Sequence, residues 1–272
     1  MTTVGVIGTG FVGRAMTESF KKKKIKVLSY DKFKKCASTL EELLVSELIF
    51  LCLPTPYDNK LQAYNKESIL ENLDYLNKKK FKGSVICKST LEPGSCKEFA
   101  EVYTNLNIIH NPEFLTARTA KEDYHNQKHI VLGRTKLCSS EHYNLVVDFH
   151  SINYPWARIT KCKSTESESA KLFANSFYSI KVQFFTEMYL LCQKTGCDYN
   201  IARQILIRNY WINPMHTNVP GPDGEISYGG LCFPKDTNAL NEFMQKHDSP
   251  SLVLKACIEE RNTMRNDHDN CQ

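Results

Sequence analysis

Three clusters of residues in this sequence have the types and spacing to do chemistry. Gly8-x-Gly10-x-x-Gly13 is followed by Asp31 at the end of the next apolar run. Gly8 permits a tight turn, Gly10 lets backbone approach a pyrophosphate, and Gly13 lets a helix pack closely on a strand. A helix starting at Phe11 and Val12 offers unpaired N–H groups and its dipole to phosphates. Asp31 accepts from ribose hydroxyls and repels a 2′-phosphate, so the pattern points to a dinucleotide, NAD in preference to NADP. The second cluster is Gly229-Gly230-Leu231-Cys232-Phe233-Pro234-Lys235-Asp236. Pro234 opens a helix, and a cysteine just ahead of a helix N-terminus with a lysine close by is set up as a thiolate nucleophile. The third is Glu168, Lys171 and Asn175, which share one helix face. On spacing alone that stripe also reads as a solvated face, and a cysteine taken at random reads as packing.

Positioning these clusters requires two kinds of structure. Thr3–Ile7, Lys26–Asp31, Leu48–Leu53, Ser84–Lys88, Asn107–His110 and His129–Gly133 read as short apolar strands, with helical patterns between most of them. That alternation predicts an α/β fold, a Rossmann-type doubly wound parallel sheet over residues 1–155. Three segments follow strand ends: Leu53-Pro54-Thr55-Pro56, Lys88-Ser89-Thr90 and His110-Asn111-Pro112-Glu113-Phe114-Leu115. In open α/β sheets ligands bind at that edge, although each hydroxyl alone is also an ordinary turn residue. Residues 156–272 read as a small all-helical domain. One helix runs from Thr165 to about Lys194, with an apolar stripe of Leu172, Phe173, Phe177, Ile180, Phe184, Met188 and Leu191. Gly196 ends it, Asp198 or Asn200 caps a helix through Leu206, and a loop rich in helix breakers spans Asn213 to Gly230. Helices at about 235–246 and 250–265 close the domain, and the final DHDNCQ reads as a polar tail.

Composition narrows the function. With 42% hydrophobic and 24% charged residues in 272, the chain is neither disordered, collagen-like nor a disulfide miniprotein. A net charge of +5 is mild. The lysine runs at 21–24 and 78–80 fall where helices end, which argues against nucleic acid as a partner. No apolar run has membrane-spanning length. The N-terminus enters a strand pattern at once, so no signal peptide is expected and the chain is placed in the cytoplasm. Eleven cysteines, odd in number and without a C-x-x-C pair, suit reduced thiols. The His125/His129 pair lacks further ligands, so no metal is expected.

Taken together, GTGFVG at the start, LPTP at 53–56, KST at 88–90, NPEFL at 111–115, ESAKLFAN at 168–175 and GGLCFPKDT at 229–237 resemble the UDP-glucose 6-dehydrogenase family and its relatives acting on other nucleotide sugars. The resemblance implies a four-electron oxidation of UDP-glucose to UDP-glucuronate with two NAD reduced. Carried over at matching positions, Cys232 traps the aldehyde as a thiohemiacetal and then carries a thioester. Lys171 and Asn175 stabilise oxyanions. Asp236 positions water or accepts a proton, Glu113 serves thioester hydrolysis and Thr90 orders the water. By the same resemblance Gly8, Gly10, Phe11, Val12, Gly13, Asp31, Pro54, Thr55, Ser89, Thr90 and Lys235 contact the cofactor. Phe114, Leu115, Lys171, Asn175, Tyr228, Gly229 and Gly230 contact the sugar substrate.

Two features depart from the family pattern. A second glutamate that many members carry is Ala117 here, and the further α/β domain that helps hold the uridine diphosphate has no counterpart before Gln272. The expectation is a compact form. Dehydrogenation of another nucleotide sugar (UDP-HexNAc or GDP-mannose), or NAD binding without turnover, remain alternatives. The apolar residues of the long helix wrap further around it than one small domain covers, which predicts a homodimer packed through residues 165–194.

Overall fold

The computed structural model describes residues 2–267, so the expected polar tail past Asp267 lies outside the described residues. In chain order the elements are β1 (Thr3–Ile7), α1 (Phe11–Lys22), β2 (Lys26–Tyr30), β3 (Leu48–Leu51), a hairpin of β4 (Tyr57–Asp58) and β5 (Ala63–Tyr64), α2 (Glu67–Lys78), β6 (Ser84–Cys87), α3 (Ser95–Val102), β7 (Asn107–His110), α4 (Ala120–His125), β8 (His129–Arg134), α5 (Ser140–Asn153), β9 (Arg158–Lys163), α6 (Ser164–Thr195), α7 (Tyr199–Ile207), α8 (Phe233–Lys246) and α9 (Leu252–Met264). The chain divides into two units. One comprises Met1–Thr55 and Asn65–Lys171, the other Pro56–Tyr64 and Leu172–Gln272.

The first unit is built on a seven-stranded sheet ordered β2-β1-β3-β6-β7-β8-β9. Its strand residues alternate between two cores, as a period of two requires. Val4, Val6, Leu48, Phe50, Ile86 and Ile109 face Met16 and Phe20 of α1, Tyr124 of α4 and Phe149 of α5. Ile7, Ile49, Leu51, Val85, Cys87 and Ile108 face Ile69, Leu73 and Leu76 of α2 and Phe99 of α3. Helices on both faces make this a doubly wound Rossmann-type sheet.

The sheet differs from the expected one in two respects. It is mixed, because β8 runs antiparallel to β7, pairing Ile109 with Arg134 and His110 with Gly133. Where β7 ends, Asn111 carries on the pairing through its side chain: Nδ2 donates to Val131 O at 2.7 Å. The sheet also continues past residue 155 through β9, which pairs with β8 in parallel. Arg-Ile-Thr-Lys-Cys-Lys is an edge strand without a fully buried residue, so it carries little hydrophobic signal.

The second unit packs Tyr57 and Tyr64 of the hairpin with Leu172 and Ile180 of α6, Ala239, Leu240 and Met244 of α8, and Leu254 and Ile258 of α9. It is therefore helical with a β-hairpin added. Asp198 caps α7, accepting from Asn200 N at 2.8 Å and Ile201 N at 3.2 Å. Among the described residues no helix is long and apolar enough to cross a membrane.

Helix α3 begins at Gly94 without a side-chain cap of its own. Its N–H groups are satisfied by Glu168 of α6, which accepts from Gly94 N at 2.6 Å and Cys96 N at 2.7 Å. Glu168 has no exposure. Burial pushes its carboxyl up to about 7, against the two backbone bonds that pull it down. With a folded pKa above the unfolded one, this group adds stability that is whole below about pH 4.5 and is lost as pH rises through about 7. The loss is on the order of 3 kcal/mol. Glu168→Gln keeps an acceptor that does not titrate. Urea unfolding at about pH 5 and about pH 8 should therefore show the variant gaining relative to wild type as pH rises. The buried histidines His110 and His150, pushed down by burial to about 3 and about 4, act equally in both proteins and cancel. A pH-independent difference contradicts the assignment.

Candidate active site

The glycine motif of the first unit has the shape its spacing predicts. Gly8 has a φ of +92°, which only glycine adopts without strain. A Cβ on Gly13 would stand 1.9 Å from Gly8 O, whereas around Gly10 a Cβ would meet nothing within 4 Å. Helix α1 starts at Phe11 with Gly10 as an N-cap that offers no side chain, so its first N–H groups face an open approach. Asp31 follows β2, and its Oδ2 accepts from Thr9 N at 2.7 Å and Thr9 Oγ1 at 2.9 Å. Burial would raise this carboxyl, but hydrogen bonds from Thr9 and Phe33, with Lys34 nearby, hold it below the usual carboxylate range. An open glycine, an uncapped helix and an ionised acid form a cradle that fits a dinucleotide. Thr9 escaped the sequence reading because the motif constrains only its glycines.

The loops after the strands are laced together. Ser89 Oγ donates to Leu53 O at 2.6 Å and Thr55 Oγ1 donates to Thr90 O at 2.8 Å. His110, fully buried and held neutral, joins Ser89 O through Nε2 at 3.3 Å and Ser167 Oγ through Nδ1 at 2.8 Å. Ser89 and Thr55 thus spend their hydroxyls on loop geometry. Thr90 is half-buried, and Phe11 and Pro54 are exposed.

Glu113 takes Lys171 Nζ on Oε1 at 3.2 Å and Leu115 N on Oε2 at 2.6 Å. The Lys171 ammonium also lies 5.3 Å from the centre of the Phe114 ring. Beside Glu113, Phe114 and Leu115 lies a cavity of about 510 Å³, which Lys88, Tyr124 and His129 also line. Lys88 belongs to the KST segment, whose spacing alone does not mark it as a site residue. It is buried, donates to Asn111 Oδ1 at 3.0 Å and is pushed down by burial to about 8.

In the second unit Cys232 is the N-cap of α8, with Pro234 in the first turn. The thiol residue is half-buried, and the ten described cysteines are all reduced. Asp236 has no exposure and receives three donors. These are Tyr64 Oη at 2.5 Å and Lys235 Nζ at 2.5 Å on Oδ1, and Asn175 Nδ2 at 2.6 Å on Oδ2. Lys235 was expected to serve the thiol and the cofactor, but its ammonium is seated on Asp236 and over the Tyr64 ring, 4.5 Å from the centroid. Tyr64 had no sequence signal, lying in a two-residue strand far from the loop it serves. Tyr228 was expected to contact the sugar, but it is almost fully buried and its carbonyl accepts from Arg261 Nε at 3.1 Å, so its ring and that carbonyl serve the fold. Gly229 and Gly230 follow it, the second with a φ of +79°. Glu168, Lys171 and Asn175 are all buried, so their stripe is not a solvated face.

The chain is similar to known proteins. Residues 31–148 match the UDP-glucose/GDP-mannose dehydrogenase family, NAD binding domain, and residues 165–263 match the central domain of the same family. A UDP-glucose 6-dehydrogenase of Rickettsia felis is 30% identical over 224 residues, 80% of this chain and 48% of the relative. One from Campylobacter jejuni is 27% identical over 219 residues, 79% of this chain and 52% of the relative. The chain thus spans about half the length of the curated relatives it matches. A UDP-glucose dehydrogenase structure from Pyrobaculum islandicum superimposes with a TM-score of 0.85 at 20% identity, over 97% of this chain and 68% of the other, a likeness of fold alone. The cofactor of this fold is NAD.

A methyl group at Gly13 has no room against Gly8 O. Gly13→Ala should push α1 away from β1 and weaken NAD binding by ~100-fold or more, on the order of 3 kcal/mol. Fluorescence titration with NAD measures this, and wild-type affinity would contradict the tight crossing.

Proposed function

Because the chain belongs to the UDP-glucose/GDP-mannose dehydrogenase family, we propose that it oxidises the C6 alcohol of a nucleotide sugar, UDP-glucose first, to the carboxylate of UDP-glucuronate. The observation that carries this reading is Cys232 at the N-cap of α8, one turn ahead of the buried Asp236–Asn175 pair. NAD, held by Gly8, Gly10, Gly13 and Asp31, supplies the hydride acceptor for both oxidations.

The chain's own residues do the rest. The Lys171 ammonium and the Asn175 amide stabilise the alkoxide of the alcohol and later the tetrahedral oxyanions, where preorganised donors act most strongly. The Cys232 thiolate adds to the aldehyde carbon, because a free aldehyde does not readily give up hydride, and the adduct is a thiohemiacetal. Its oxidation leaves a thioester on Cys232. Water, ordered by Thr90 and deprotonated with the help of Glu113, cleaves that bond and returns the thiol. Asp236 holds the Asn175 amide in place, and Phe114, Leu115 and the backbone of Gly229 and Gly230 take the sugar. The reaction consumes one water and two NAD per sugar.

A second copy of the chain is proposed to cover α6 and α7. Phe173, Phe177, Phe184 and Leu191 of α6 are 50–61% exposed, and Ile201 and Ile205 of α7 are 59% and 65% exposed. So much exposed apolar surface along two helices is the mark of an interface. A C2 pair would bury it against itself.

Protein given UDP-glucose and NAD should form about two NADH per sugar as acid appears. Cys232→Ala should abolish acid formation while NAD binding stays within about twofold. One NADH with free aldehyde, or acid made by the variant, would remove the thiol from its role. Sedimentation at micromolar concentration should give a dimer, and a monomer refutes the shared helical interface.

A further inference from the structure

We propose that Arg265, with Arg261, is a positioning residue for Cys232. The inference rests on the reading of Cys232 as nucleophile, and all of its geometry lies within the second unit. The segment 223–229 leads through Gly230 and the exposed Leu231 into Cys232. Just past α9, Arg265 spreads its guanidinium along that segment. One terminal nitrogen pairs with Asp223 Oδ2 at 2.8 Å, and the other donates to Ile226 O at 3.3 Å and Ser227 O at 3.5 Å. Nε donates to Asp267 Oδ2 at 3.1 Å. A Cβ on Gly229 would lie 2.4 Å from the guanidinium, so glycine is what lets the arginine come so close.

Arg261, 2% exposed, donates to the next carbonyl, Tyr228 O, at 3.1 Å, and also pairs with Asp267. From α6, Thr186 Oγ1 accepts from Ser227 N at 3.0 Å, and Gln183 Oε1 accepts from Ser227 Oγ at 2.5 Å. Three consecutive carbonyls, from Ile226 to Tyr228, are thus held by two arginines. Buried backbone carbonyls need such donors, and a guanidinium presents five of them in a fixed fork. Both cations are already matched by Asp223 and Asp267, which makes this a clamp on the backbone and not an anion site. On the other side Cys232 O accepts from Asp236 N at 3.0 Å. The thiol-bearing turn is therefore fixed at both ends, with Gly229 and Gly230 between clamp and nucleophile.

The test is the rate at which iodoacetamide alkylates Cys232 across pH, followed by peptide mapping without substrate, for wild type, Arg265→Ala, Arg265→Lys, Gly229→Ala and the exposed control Lys255→Ala. Arg265→Ala and Gly229→Ala, both folded by circular dichroism, should change the alkylation rate or move its pH midpoint, and Arg265→Ala, which touches no substrate, should lower kcat by about tenfold with KM changed far less. Arg265→Lys should recover part of the effect, and Lys255→Ala should match wild type. If Arg265→Ala does not fold, the substrate-free alkylation profile of Gly229→Ala still decides, since the atoms nearest its added Cβ are those of the Arg265 guanidinium. Wild-type alkylation profiles in the folded variants overturn the proposal. Because alkylation is read without turnover, an inactive wild-type protein would sink the proposed reaction and leave this test standing.

Discussion

A carboxylate with no contact with solvent governs the second unit. Asp236 cannot be buried as an anion without donors, and it draws them from the hairpin (Tyr64), from α6 (Asn175) and from its own helix (Lys235). Removing one partner of such a buried charge costs on the order of 3–5 kcal/mol. The Tyr64 bond and the packing of Tyr57 and Tyr64 with Leu172, Ala239 and Leu240 together tie the segment 56–64 to the helical unit, although it lies in sequence among the strands. Asp236 itself lies in the first turn of α8, which Pro234 opens and Cys232 caps.

The sheet unit applies the same principle. His110, neutral because burial pushes it down to about 3, ties the loop after β6 to Ser167. Glu168 closes the N-terminus of α3, and Glu113 pairs with Lys171. These groups are paired with each other or with backbone. Satisfied buried networks of this kind specify one arrangement of loops, which is what a site that must orient a cofactor and a reacting carbon requires.

Much of this was legible in the sequence. Apolar strands buried on both faces, the crossing at Gly13, the cap at Asp198 and the long uninterrupted helix each have a local cause, and each stands within a residue or two of where the pattern placed it. What escaped has non-local causes. Tyr64 matters through Asp236, and Arg265 through carbonyls 38 and 39 positions away. β9 lacks a fully buried residue, and β8 pairs with β7 in the antiparallel sense, which neither strand's own residues encode. Glu168 was read with Lys171 as one polar face, but its partners are backbone N–H groups of a different helix, which spacing along α6 does not reveal.

The central claim is that a sulfur atom holds the half-oxidised sugar. The most direct measurement is mass spectrometry of Glu113→Gln, quenched in acid during turnover of UDP-glucose with NAD. The account predicts a nucleotide-sugar adduct that accumulates on the peptide containing Cys232 and disappears in mild hydroxylamine. NADH formation with that peptide unmodified throughout would contradict it.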